Sequence, residues 1–366
     1  MQPDFGDGFA GTERNDRYDP FDRGPFPVGV VTVQAPDPAR DRLFPCEIWY
    51  PAAAHHAGQD LAPDTRDLVA ARPDDTPRAR AAVRDAEPRP GTYPLVVFSH
   101  HGGGHRRSAT YLCTHLSSHG YLVAALDHSE VVAEELRPTG DDTPAQRMAR
   151  VDAWIANRVP DIGFLLDRVL GGDAWRSAAV PDPGRVGIVG HSFGGWTALA
   201  APDAEPRIRS VVALAPGGSS MPRPGIIPAR LAFGWAREVP TLYLVADGDV
   251  CTPLDGMYEL FDRTPAARRM VILHRADHLH FADNVESEHE ALRAMSLPGD
   301  AAWIPKAMRP IGELRTGAQA HLAVRGLTVC HLDATMRQQD QAQRLLAGDL
   351  GAALAARGVE VSVHAS

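Results

Sequence analysis

Arg185-Val186-Gly187-Ile188-Val189-Gly190-His191-Ser192-Phe193-Gly194-Gly195-Trp196-Thr197-Ala198-Leu199-Ala200 is the stretch that decides the fold. Its first five residues form a short β-branched run typical of a buried parallel strand, and Trp196 to Ala200 reads as a helix. Between them Gly190-His191-Ser192-Phe193-Gly194 predicts a strand-to-helix elbow. Glycines two residues either side of the serine let the backbone pass close by, while the hydroxyl projects at the sheet's C-terminal edge. The helix N-terminus points at the same hydroxyl and favours an anion there. Ser192 is therefore a candidate nucleophile.

The remaining composition narrows what such an elbow serves. The chain has 366 residues, 44% of them hydrophobic, enough to bury a sizeable core. A net charge of -9 and the lack of an arginine-rich patch interleaved with aromatics argue against a nucleic-acid partner. No window approaches the roughly 20 apolar residues of a membrane span, and Met1 to Arg23 is polar and acidic without an apolar signal region, so a soluble, cytoplasmic protein is expected, with a mature secreted form, its signal already removed, as the alternative. Cys46, Cys113, Cys251 and Cys330 lie far apart without metal or redox spacing, which predicts reduced and mostly buried thiols. The single lysine, Lys306, leaves little scope for Schiff-base or Ser-Lys chemistry.

Residues 1–26 are rich in Asp, Gly and Pro and read as an extended arm; residues 27–366 are expected to form one domain. Strands are predicted at Val28–Val33 and Phe44–Tyr50, the second alternating as an antiparallel edge does. Residues 52–92 interrupt the pattern as an insertion. From Tyr93 onward strands at 95–98, 122–126, 186–189, 211–214, 242–245 and 271–273 alternate with helices at 108–118, 144–170, 193–201 and 287–295. That rhythm predicts an α/β fold, a mostly parallel central sheet with helices on both faces and an antiparallel N-terminal edge. A last amphipathic helix is expected at about 336–357, with Gly358 as its stop. The segment 217–239, with Ile226, Ile227, Leu231, Phe233 and Trp235, reads equally as a cap over a ligand pocket and as ordinary packing onto the core. His128 and Trp154 are further residues that could line the same cleft.

A serine hydroxyl needs a base within hydrogen-bonding reach and a group that orients the base. After the strand at 241–245 comes an acidic turn, Ala246-Asp247-Gly248-Asp249-Val250-Cys251-Thr252-Pro253; after that at 270–273 comes His274-Arg275-Ala276-Asp277-His278-Leu279-His280-Phe281. Ser, Asp and His thus follow in α/β-hydrolase order. Asp249, well beyond its strand, is the chosen acid, with Asp247 next. His278, free in its loop, is the chosen base; His280 is second and His274 still belongs to the strand. Each alone is more simply a surface carboxylate or a satisfied histidine, and it is the ordered set that favours catalysis. Backbone donors for the oxyanion are expected from Phe193 and from the glycine loop Ser99-His100-His101-Gly102-Gly103-Gly104-His105, with Gly102 nominated and His101 as the alternative. That loop lacks the Gly-x-Gly-x-x-Gly and Gly-Lys-Ser/Thr patterns of nucleotide sites. Neither histidine set, 100/101/105 or 274/278/280, carries a metal signature, so no metal and no cofactor are expected.

Together these residues resemble the α/β-hydrolase superfamily from about Pro27 to Phe281. More narrowly, Pro27-Val28-Gly29-Val30, Glu47-Ile48-Trp49-Tyr50-Pro51, Phe98-Ser99-His100, Ser118-His119-Gly120-Tyr121 and Gly190 to Gly195 resemble bacterial dienelactone-hydrolase-like proteins related to platelet-activating-factor acetylhydrolase. The resemblance implies a cofactor-free serine hydrolase of small to medium esters, acylated lipids or polyesters among them. Other acyl bonds (amide, thioester, peptide) and a catalytically silent binding protein on the same fold are the alternatives. There are two departures. Dienelactone hydrolases use a cysteine nucleophile where this chain has Ser192. In the acetylhydrolases the acid follows the strand after the nucleophile helix, where this chain reads Leu214-Ala215-Pro216-Gly217, so the acid must come from the next strand end, at Asp249.

Overall fold

A computed structural model describes residues 18–70, 76–140, 142–219, 227–297 and 301–366. Among the described residues ten strands form one sheet, in the order β12-β11-β10-β9-β8-β6-β7-β2-β1-β5. In chain order these are β1 (Val28–Asp37), β2 (Arg42–Pro51), β5 (Val83–Arg84), β6 (Gly91–Ser99), β7 (Leu122–Leu126), β8 (Ala179–His191), β9 (Ile208–Leu214), β10 (Thr241–Ala246), β11 (Arg268–Leu273) and β12 (Val361–Ala365). A separate hairpin pairs β3 (Asp67–Val69) with β4 (Arg78–Arg80). Strands β7, β6, β8, β9, β10 and β11 are mutually parallel. On the other side β2 pairs antiparallel with both β7 and β1, giving the expected antiparallel N-terminal side, but β2 is not the alternating edge expected at Phe44–Tyr50: it lies inside the sheet, buried from Cys46 to Pro51, and β5, parallel to β1, is outermost.

Alternate strand residues serve two cores. Leu95 and Val97 of β6 and Leu122, Ala124 and Leu126 of β7 face one cluster, which is covered by α3 (Pro144–Leu170), α4 (Phe193–Ala204) and α5 (Leu254–Arg263). Val96, Phe98, Val123 and Ala125 face the other, covered by α1 (Thr110–Ser118) and α8 (Gly317–Met336). Burial on both faces explains why these strands read as unbroken apolar runs. Short helices α2 (Ser129–Val132), α6 (Val285–Ala294) and α7 (Ile304–Ala307) lie in the connections.

The C-terminus departs from the single helix expected there. In place of one helix over 336–357 the chain ends α8 at Met336, then forms α9 (Asp340–Ala347), α10 (Leu350–Ala355) and β12. The break falls at Gly348 and Asp349, where the Asp349 carboxylate accepts from the Ala352 N–H and caps a new helix. Helix α8 went unread because it is buried on most sides, with small residues such as Gly326 against Phe21, and so lacks an amphipathic stripe. β12 pairs antiparallel with β11, adding an edge that its short, exposed residues did not signal. Of the predicted arm, the described part packs down: Phe21 is buried, and the His115 ring donates to the Pro20 carbonyl.

From β6 the chain steps to β7 on one side, then crosses to β8 on the other and continues outward through β9, β10 and β11. The order therefore reverses at β6 and β8, and the crevice beyond the C-terminal ends of those strands is where such sheets place a ligand site.

Candidate active site

Ser192 leaves β8 and caps α4 with φ 58° and ψ -114°, a left-handed conformation that costs a non-glycine residue of order 1–3 kcal/mol. Absent side chains make this elbow possible. A Cβ on Gly190 would lie 1.9 Å from the Gly194 carbonyl oxygen, and one on Gly194 would lie 2.0 Å from that of Ser99. These obstacles are backbone and cannot swing away. Gly194→Ala is accordingly expected to lose more than about 3 kcal/mol of stability and to yield little folded protein, measured by thermal unfolding.

The three chosen side chains converge. The Ser192 hydroxyl donates to His278 Nε2 at 2.8 Å, and His278 Nδ1–H donates to Asp249 Oδ2 at 2.7 Å. Asp249 is held by its own turn: Oδ1 accepts from the Cys251 and Thr252 N–H groups, and Oδ2 from the Thr252 hydroxyl. Gly248 abuts the histidine loop, its N–H donating to the Ala276 carbonyl at 2.9 Å. The runners-up sit elsewhere. Asp247 Oδ2 lies 3.2 Å from His274 Nδ1, and His280 is fully buried between Asp277 and the Arg315 carbonyl.

Electrostatics at His278 oppose one another. Burial disfavours its imidazolium, but the charge and hydrogen bond of Asp249, with help from Asp277, outweigh this and raise its pKa above the ordinary 6.5. A base must be neutral to accept the serine proton. The acid limb of a kcat/KM–pH profile is therefore expected above pH 6.5, with activity rising as pH increases through it, measured on an ester without ionisable groups.

Gly102 is exposed, in the loop after β6, and the methyl of an alanine there would lie 3.9 Å from Phe193 Cβ and 3.1 Å from Ile227 Cδ1. The two residues nominated as oxyanion donors are thus neighbours next to Ser192, and Ile227 brings the 227–239 segment to the same place. That segment packs on α4, with Trp196 Nε1–H donating to the Arg230 carbonyl and Trp235 Nε1–H to that of Leu199. Ile226 falls outside the described residues. Trp154 lies apart, donating to the Leu136 carbonyl.

Asp249, Cys251 and His278 bring one potential metal-ligand atom each within 4.8 Å of the others. The hydrogen bonds already described use the carboxylate and Nδ1. Burial, aided by the Asp249 charge, pushes the Cys251 thiol's pKa well up, so it keeps its proton. The arrangement matches an acid–base relay better than an ion cage.

Sequence reading missed His191, whose Nε2–H donates to the His278 carbonyl at 2.9 Å and so ties the His278 loop to the elbow. Burial holds that ring neutral. It also missed Arg158, fully buried on α3 and bonded to the glycine loop. A signal was present: Arg158 and Asp161 lie on the same stripe as Ile155, Ile162, Leu165 and Val169, where charge is out of place unless paired.

A mostly parallel sheet with helices on both faces, a strained serine elbow after β8 and a carboxylate and a histidine at the ends of β10 and β11 are the features of the α/β-hydrolase fold. The model for platelet-activating factor acetylhydrolase, isoform II, matches residues 78–151. A platelet-activating factor acetylhydrolase of Canis lupus familiaris is 29% identical over 153 residues, 33% of this chain and 34% of that protein. A bis(hydroxyethyl) terephthalate hydrolase of Streptomyces coelicolor is 25% identical over 198 residues, 54% of this chain and 53% of the relative. The chain thus spans from a third to about half of these relatives' length. A ferulic acid esterase from Streptomyces cinnamoneus superposes with a TM-score of 0.62 at 23% identity, covering 86% of this chain and 91% of that one, which establishes the shared fold. Among the described residues no helix is long and apolar enough to cross a membrane.

Proposed function

We propose that this protein is a serine carboxylic ester hydrolase acting through an acyl-enzyme. The observation that carries the reading is the continuous hydrogen-bond chain from Ser192 through His278 to Asp249 at the sheet's C-terminal edge. In the proposed mechanism His278 takes the Ser192 proton as the oxygen attacks an ester carbonyl. The Phe193 and Gly102 N–H groups hold the oxyanion, each worth about 10²- to 10³-fold in rate. Asp249 fixes the imidazole tautomer and stabilises the imidazolium, which then protonates the leaving alcohol. Water, deprotonated by His278, releases the acid and regenerates Ser192. The scheme calls on no metal or cofactor.

Similarity to acetylhydrolase, terephthalate-ester hydrolase and cutinase sequences supports small to medium esters, including acylated lipids and polyester fragments, as the substrate class. Ile227 against Gly102 supports an apolar wall beside the scissile carbonyl. We place the activity in one domain from residue 27 onward, in keeping with a sheet that runs from β1 to β12. Four free cysteines, three of them buried, support a reducing, cytoplasmic setting.

The test is a panel of acetate, medium-chain, long-chain and aromatic esters, with matched amides, alongside fluorophosphonate labelling. Ester turnover together with labelling at Ser192 is the expected result. Faster turnover of amides than of matched esters would move the assignment to another acyl bond. An unlabelled, inert protein would leave a binding role.

A further inference from the structure

Behind the glycine loop lies a second set of serine, histidine and aspartate, none of it facing the crevice. Ser99, His128 and Asp161 are each 0% exposed. His128 Nδ1–H donates to Asp161 Oδ2 at 3.1 Å, and Ser99 Oγ lies 2.8 Å from His128 Nε2. Asp161 also accepts from the Ser129 N–H and hydroxyl and from Arg40. No substrate reaches this serine, so the set serves something else.

Its proton directions are fixed, and they lead to Arg158. Arg158 Nη1–H donates to Ser99 Oγ at 3.3 Å, which leaves the hydroxyl's own proton for His128 Nε2. The same Nη1 donates to the His100 carbonyl at 2.6 Å, while Nη2 donates to the His101 carbonyl at 3.4 Å and to Glu130. His100 Nε2 accepts from the His128 N–H, so its Nδ1–H turns to the His101 carbonyl. Every backbone carbonyl from Ser99 to His101 is thereby constrained, the Ser99 one by contact with Gly194. The guanidinium also sits 4.2 Å from the centre of the Phe193 ring. One buried cation therefore touches the residues on both sides of the proposed oxyanion site.

We propose that Arg158, held by Glu130 and by the Ser99–His128–Asp161 relay, is a positioning residue that sets the Gly102 and Phe193 N–H groups at the developing oxyanion. Carbonyls at 100 and 101 bound from behind turn the following peptide N–H groups outward, toward the nucleophile. A planar fork spanning two carbonyls and a hydroxyl does this in a way that a lysine ammonium cannot. The inference rests on the ester-hydrolase reading and assigns a residue that never meets the substrate.

The test is Arg158→Met, together with Arg158→Met/Glu130→Gln, which leaves no unpaired carboxylate if the single variant folds poorly. Three quantities are read: kcat and KM on the best ester, affinity for a trifluoromethyl ketone that forms a hemiketal oxyanion on Ser192, and affinity for a non-hydrolysable ether analogue. Expected are a fall in kcat of about 100- to 1,000-fold, an equal loss of ketone affinity, and KM and ether affinity changed by less than about threefold. The acid limb of the pH profile should stay in place, because His278 is untouched. Arg158→Lys should recover little. Unchanged kcat in a folded variant, or parallel loss of ether and ketone affinity, would overturn the proposal. Ser192→Ala serves as the control: if it keeps turnover, the ester-hydrolase reading falls and this proposal falls with it, whereas an inactive Ser192→Ala beside a fully active Arg158→Met condemns the positioning role alone.

Discussion

Ser192→Ala is expected to lower ester turnover by about 10⁵- to 10⁶-fold, since removing a triad nucleophile costs nearly as much as removing all three members. Stability should change by no more than about 1 kcal/mol, because the hydroxyl's bond to His278 Nε2 is partly exposed and contributes one hydrogen bond's net worth. Alanine keeps the Cβ of serine, so the strained elbow at φ 58° is left as it was. The measurement is steady-state hydrolysis with thermal unfolding on the same preparation. Turnover within about tenfold of the parent would remove Ser192 from the mechanism, whatever its surroundings.

The second large effect is expected at the acid. Asp249→Asn should reduce kcat/KM by about 10⁴-fold, because an amide facing His278 Nδ1 favours the tautomer whose proton sits on Nε2. That tautomer cannot accept from Ser192. The substitution should also move the acid limb of the pH profile downward, since the Asp249 charge and hydrogen bond are what raise the His278 pKa against burial. Asp247→Asn is the internal contrast. Its carboxylate meets His274 and the Ala276 N–H, so less than about tenfold loss is expected. Were the two effects reversed, the acid would be Asp247.

Much of the fold could be read because both signals behind it are local. A strand buried on two faces must be apolar throughout, as Leu122–Leu126 is, and a strand-to-helix elbow needs glycine where backbone meets backbone, as at Gly190 and Gly194. Helix α3 was legible because its buried residues, Ile162, Leu165, Leu166 and Val169 among them, recur at helical spacing, and the Thr143–Gln146 capping box agrees with its start. Elements held only by distant contacts escaped. Helix α8 is helical because it fills a groove between Phe21 and the sheet, and β12 is a strand because β11 offers an edge. A capping box, Thr316 with Gln319, does mark the start of α8, but no amphipathic stripe follows it, and β12 carries no local signal at all.

The site divides along the same line. Sequence by itself determined the kinds of group and their order along the chain: a serine on an elbow, then carboxylates and histidines after later strands. Choosing among neighbours needed the tertiary structure. Asp247 and Asp249 are two residues apart in one turn, yet the course of that turn sends the first to His274 and the second to His278. Such choices depend on loop backbone directions, which short-range propensity does not encode. Only the packed structure, likewise, could bring Arg158, near the middle of α3, against the carbonyls of His100 and His101. Burial makes that contact matter, since a guanidinium away from water depends on the carbonyls, hydroxyl and carboxylate that the fold places beside it for its hydrogen bonds.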